Sequence, residues 1–156
     1  MAAPFLVSSN TSNRPSGLRK LKGAYNALED FRGTHARSAV CHLHGVVRDA
    51  TGVASMLFAW IEKKDILSKA MAEESSDQLR SRWASQISES LAKLHEHGIF
   101  WGDAKAENVL IDQDEMLELL TLEGFTLRVG LTRRRPGHYI DGDEQGLAKI
   151  LDILRF

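Results

Sequence analysis

Asp103, Lys105 and Asn108 stand close together within residues 94–112, LHEHGIFWGDAKAENVLID. These residue types suit phosphoryl transfer. A carboxylate can orient an attacking hydroxyl and accept its proton, a lysine can neutralise charge on the transferred group, and an asparagine side-chain oxygen can ligate Mg²⁺. Taken singly, Asp103 and Asn108 also suit an Asx-rich turn between a helix and a strand. Three such groups on one short loop, with an apolar strand directly after it, make the chemical reading the stronger one.

The elements around the loop have to hold it still. Leu79, Trp83, Ile87, Leu91 and Leu94 recur at three- and four-residue spacing, which predicts an amphipathic helix. Ser75 and Gln78 have capping-box spacing at its start. His95 and His97 fall in its last turn, and Gly98 suits the left-handed stop position. After the loop, residues 109–111 and 116–122 read as short strands joined by Asp112, Gln113, Asp114 and Glu115. A final helix is expected from Asp143, carrying Leu147, Ile150, Leu151 and Ile153.

Upstream, residues 40–47 and 53–60 are apolar runs separated by a turn that contains Gly52, the pattern of a β-hairpin. Residues 18–28 read as a helix with Leu18, Leu21, Tyr25 and Leu28 on one face, weakened by Gly23. Residues 64–74 read as a short helix, and residues 123–142 as irregular. The first 17 residues are rich in Ser, Asn, Pro and Gly and read as a flexible leader before a domain over 18–156, whose core covers 61–156.

The span W-G-D-A-K-A-E-N resembles the protein-kinase catalytic loop, H-R-D-x-K-x-x-N. In that resemblance Asp103 falls on the catalytic base, Lys105 on the loop lysine and Asn108 on the residue that binds metal and cofactor. Trp101 replaces the usual histidine and Gly102 the usual arginine. The Gly-Asp pair is also similar to the loop of aminoglycoside-phosphotransferase-like relatives. The likeness implies an α+β, mainly α fold: a kinase-like C-terminal lobe with a truncated or absent N-lobe. It implies strands at 40–60 that lead to a hinge near Phe58, Ala59 and Trp60. It also implies that Asp143 anchors the loop by accepting backbone N–H bonds near Trp101 and Gly102. If the loop turns over, the implied reaction is ATP- and Mg²⁺-dependent phosphotransfer.

The sequence departs from the family at the parts that clamp a nucleotide. It has no glycine-rich phosphate loop and no V-A-I-K strand, and the 18–28 segment offers no glutamate for the usual ion pair. Thr121 stands where the metal-binding Asp of D-F-G is expected, and Glu123 is out of register with it. A hydroxyl substitutes poorly for a carboxylate on a hard cation. These departures point to a pseudokinase or degenerate ATP-dependent phosphotransferase that serves a protein partner. The alternative is an active protein or small-molecule kinase with Asp103 as base.

The remaining features are read structurally. His35, His42, His44, His95, His97 and His138 show no ligand spacing, and Cys41 stands alone. Arg133, Arg134 and Arg135 read as a solvated cluster, Trp83 as core, and Trp101 as filling space under the loop. Hydrophobic residues are 43% of the chain and the net charge is −1, which fits a globular domain and gives no general sign of nucleic-acid or membrane binding. A lone cysteine and a poor signal sequence lead to the expectation of an intracellular protein, cytoplasmic or nuclear.

Overall fold

The structure, a computed structural model, describes residues 5–7, 40, 43–50, 52–119, 128–129 and 137–155. The expected helix at 18–28, together with Thr121, Glu123, Arg133, Arg134, Arg135, His35, Cys41 and His42, lies outside them.

The fold is α+β. Strands β1 (Phe5–Val7), β2 (Leu43–Asp49) and β3 (Gly52–Phe58) form one antiparallel sheet in the order β1-β3-β2. The β2–β3 pair is the hairpin expected from the sequence. Strand β1 falls inside the expected flexible leader. Phe5, Leu6 and Val7 instead pair with Phe58, Leu57 and Met56, so the short apolar run finds its partner far along the chain.

A second antiparallel sheet contains β4 (Lys63–Ile66), β6 (Val109–Asp112) and β7 (Leu117–Leu119), in the order β4-β6-β7. Residues 64–74 do not form the single short helix expected from the sequence. Residues 63–66 are a strand, and only Lys69–Glu74 is helical (α1). The charged sequence KKDI has little strand preference of its own, and its pairing with β6 decides the matter.

Helix α2 (Asp77–Glu96) contributes Trp83, Ile87, Leu91 and Leu94 to the core. Its N-cap is Ser76, whose hydroxyl accepts the Leu79 N–H at 3.2 Å. The expected capping pair Ser75 and Gln78 is therefore one residue early. Ser75 closes α1 instead, donating its hydroxyl to the Met71 carbonyl at 2.7 Å. Arg80 joins the two helices by donating to the carbonyls of Ala72 and Ser75 at 3.1 and 2.8 Å. The α2 stripe is buried at Trp83, Ile87, Ser90, Leu91 and Leu94. Burial of each large apolar side chain contributes roughly 1.5–3 kcal/mol. Trp83 Nε1 donates to the Glu115 carbonyl at 2.9 Å, which ties the β6–β7 turn to the helix.

Helix α3 (Gly137–Leu154) starts six positions before the expected Asp143. Ile150 and Leu154 enter the core with Leu67, Val109, Ile111, Leu117 and Leu119. Among the described residues no helix is long and apolar enough to cross a membrane.

Candidate functional site

The loop is held at both ends. At its start α2 stops at Gly98, which has φ +68° and donates its N–H to the His95 carbonyl at 2.9 Å. Strand β5 (Ile99–Phe100) then pairs with β8 (Arg128–Val129). At its end a short 3₁₀ turn, Ala106–Asn108, leads into β6, whose Val109, Leu110 and Ile111 are buried. The turn closes through the Asn108 N–H and the Lys105 carbonyl at 3.0 Å.

Underneath, Asp143 is 1% exposed and accepts hydrogen bonds from Trp101, Gly102 and His95. Its Oδ2 takes the Trp101 N–H at 2.7 Å and His95 Nε2 at 3.0 Å, and its Oδ1 takes the Gly102 N–H at 2.7 Å. A buried carboxyl that receives several donors leaves neither of its oxygens unsatisfied. The expected anchor bonds from Asp143 to the backbone of Trp101 and Gly102 are therefore present. Gly102 has φ +80°, a conformation that side chains other than glycine adopt at a cost. Trp101 is 1% exposed and belongs to the hydrophobic core.

The sequence reading missed the part played by His95. It lies four residues after Leu91 and eight after Ile87, so it extends the buried stripe of α2 toward α3. That spacing is the signal that could have found it. Phe100 packs beside it, with ring centroids 5.7 Å apart, and Tyr139 stacks on Phe100 at 5.9 Å.

The three candidate residues meet at the top of the loop. Asp103 Oδ2 receives Lys105 Nζ at 2.8 Å and Asn108 Nδ2 at 2.9 Å. Asn108 Nδ2 also donates to the Asp103 backbone carbonyl at 2.9 Å. Both partners of that nitrogen are acceptors, which fixes the orientation of the amide and turns its Oδ1 the other way. The side chains of Asp103 and Lys105 are 46% and 48% exposed, so the cluster opens to solvent. The Lys105 hydrogen bond, helped by Asn108 and opposed by partial burial, holds the Asp103 carboxyl below its usual range. Asp103 is thus a carboxylate at neutral pH, fixed in place and able to accept a hydrogen bond from an incoming hydroxyl.

As a metal site the cluster is thin. It offers one neutral oxygen, Asn108 Oδ1, and one carboxylate whose Oδ2 already has two donors. Mg²⁺ requires near-octahedral oxygen ligands and is usually bound through carboxylates. Among the described residues no three His, Cys, Asp or Glu side chains gather to hold a metal ion. No protein-family model matches the chain, and no curated protein matches it.

Proposed function

We propose that the chain is a protein-kinase-like domain, with a C-lobe-like core, that keeps the catalytic-loop architecture and has lost turnover: a pseudokinase acting through a protein partner. The observation that carries this reading is the double anchor of Asp143 on the Trp101 and Gly102 N–H groups beneath a converged Asp103, Lys105 and Asn108. An Asx turn has no need of a buried carboxylate brought from a helix some forty residues away in sequence. Loss of turnover rests on the donor set. The loop supplies Mg²⁺ with too few anionic oxygens, and in the sequence Thr121 stands where the kinase resemblance expects a second carboxylate. ATP and Mg²⁺ would be the cofactors of an active form, with Asn108 on the metal.

One observation favours the active alternative. Lys105 and Asn108 keep Asp103 ionised and oriented, which a base or hydroxyl-positioning group requires. ATP hydrolysis and autophosphorylation of the wild type and of Asp103→Asn separate the two readings. The pseudokinase reading expects no turnover above background in either protein. Wild-type turnover that Asp103→Asn abolishes would overturn it and make the loop a working active site.

A further inference from the structure

One face of α3 carries Tyr139, Asp143, Gly146 and Ile150, at four-, three- and four-residue spacing. Three of these have roles already described: Tyr139 stacks on Phe100, Asp143 holds Trp101 and Gly102, and Ile150 enters the core. Gly146 lies one turn after Asp143 and is buried. A methyl group built on it would overlap the Ala104 carbonyl oxygen and come within 2.5 Å of the Ala104 methyl. The obstacle is backbone, which cannot rotate aside as a flexible side chain would. Glycine is a poor helix former, so local preference does not account for it inside a helix. The close approach of the loop does.

The consequence reaches Asp103. Residues 101 and 102 are drawn onto α3 by hydrogen bonds to Asp143, and residue 104 rests on the same helix at Gly146. Asp103 is the residue between these two supports. Its side chain is held out toward Lys105 and Asn108 because its neighbours on both sides are seated on the helix. We propose that Gly146 is a positioning residue: the space it leaves sets the height of Ala104 above α3, and thereby the meeting of Asp103 with Lys105 and Asn108. This holds whether or not the loop transfers phosphate, so it stands apart from the functional reading above.

The test follows the Asn108 side-chain amide by NMR, in the 156-residue chain and in Gly146→Ala. The Trp83 indole N–H, which donates to the Glu115 carbonyl, is the internal control. In Gly146→Ala, exchange of the Asn108 Nδ2 protons with solvent is expected to accelerate as their contacts with Asp103 lengthen, while the Trp83 signal stays where it was. A folded Gly146→Ala protein with unchanged Asn108 exchange overturns the proposal. If Gly146→Ala does not fold, Ala104→Gly decides. It removes the loop's methyl contact and leaves the helix sequence intact. Faster Asn108 exchange there supports the proposal, and no change overturns it. Nucleotide is absent from both arms, so failure here says nothing about phosphotransfer, and the reverse.

Discussion

Asp143 Oδ2 receives the backbone N–H of Trp101 at 2.7 Å, across a sequence separation of 42 residues. The neighbouring N–H of Gly102 goes to the other oxygen of the same carboxylate. One side chain therefore satisfies two consecutive amides where the chain passes from β5 into the loop. Removing it leaves the Trp101 amide buried without its acceptor. An unsatisfied buried donor costs about 1–3 kcal/mol. Asp143→Ala is expected to lose at least that much, and amide exchange at Trp101 and Gly102 should accelerate. Asp143→Asn keeps one oxygen and should lose less. Denaturant melts with residue-resolved hydrogen exchange check this. Unchanged stability in Asp143→Ala would count against the anchor.

Gly98 gives a prediction of a different kind. Its φ is +68° and a Cβ there would meet nothing within 4 Å, so only backbone conformation opposes a larger residue. Gly98→Ala should cost about 1–2 kcal/mol from the left-handed conformation alone. Gly98→Asn should cost less, because asparagine tolerates that region. Equal melting temperatures for Gly98→Ala and the wild type would show that the helix ends in some other way.

Glu118 makes stability fall as pH rises. It sits on β7 opposite Leu110, and burial, reinforced by the charge of Asp112, raises its carboxyl to about 7. The folded chain therefore holds a proton that the unfolded chain releases near its ordinary value of 4.5. Between those two values the folded state binds more protons, so stability declines as pH increases. The decline should end once pH passes about 7, the folded value. Glu118→Gln stays neutral throughout and should flatten this part of the profile. Melting temperatures at intervals between pH 4.5 and 8 make the comparison. A Glu118→Gln profile with the wild-type slope would assign the decline to another group.

The parts legible in the sequence were those in which local pattern and tertiary demand agree. Trp83, Ile87, Leu91 and Leu94 recur at helical spacing and are buried on α2. Gly98 marks the end of that helix, and Asp103, Lys105 and Asn108 stand at the spacing of a loop in which they do meet. The parts that escaped were decided by distant partners. Phe5–Val7 is a strand because β3 lies beside it, and Lys63–Ile66 is a strand because β6 does. Ser75 and Ser76 offer the same hydroxyl to the same backbone, and only the geometry of α1 assigns one to close that helix and the other to open α2. The beginning of α3 was missed because Gly137 and His138 are weak helix formers, while Tyr139 gains a stacking partner in Phe100. Gly146 falls inside α3, where local preference disfavours glycine, and its close approach to Ala104 exists only in three dimensions.

The proposed loss of turnover leads to a prediction about nucleotide. A ligand that binds only the native state raises stability by RT ln(1 + [L]/Kd), which is about 2.7 kcal/mol at one hundred times Kd. Tight ATP binding would therefore show as a melting-temperature rise of several degrees in a chain of this size. The 156-residue chain contains no glycine-rich phosphate loop, and Thr121 replaces the expected second carboxylate. The loop adds one exposed lysine, already paired with Asp103, and one asparagine oxygen. Sub-millimolar ATP is therefore expected to leave the melting temperature unchanged, with or without Mg²⁺. Thr121→Asp should not change that result, because one added carboxylate supplies a metal ligand but no clamp for the phosphates. Thermal shift of the wild type, Thr121→Asp and Asn108→Ala, each against ATP with and without Mg²⁺, measures the effect. A Mg²⁺-dependent rise in the wild type that Asn108→Ala abolishes would show a working nucleotide site and refute the expectation.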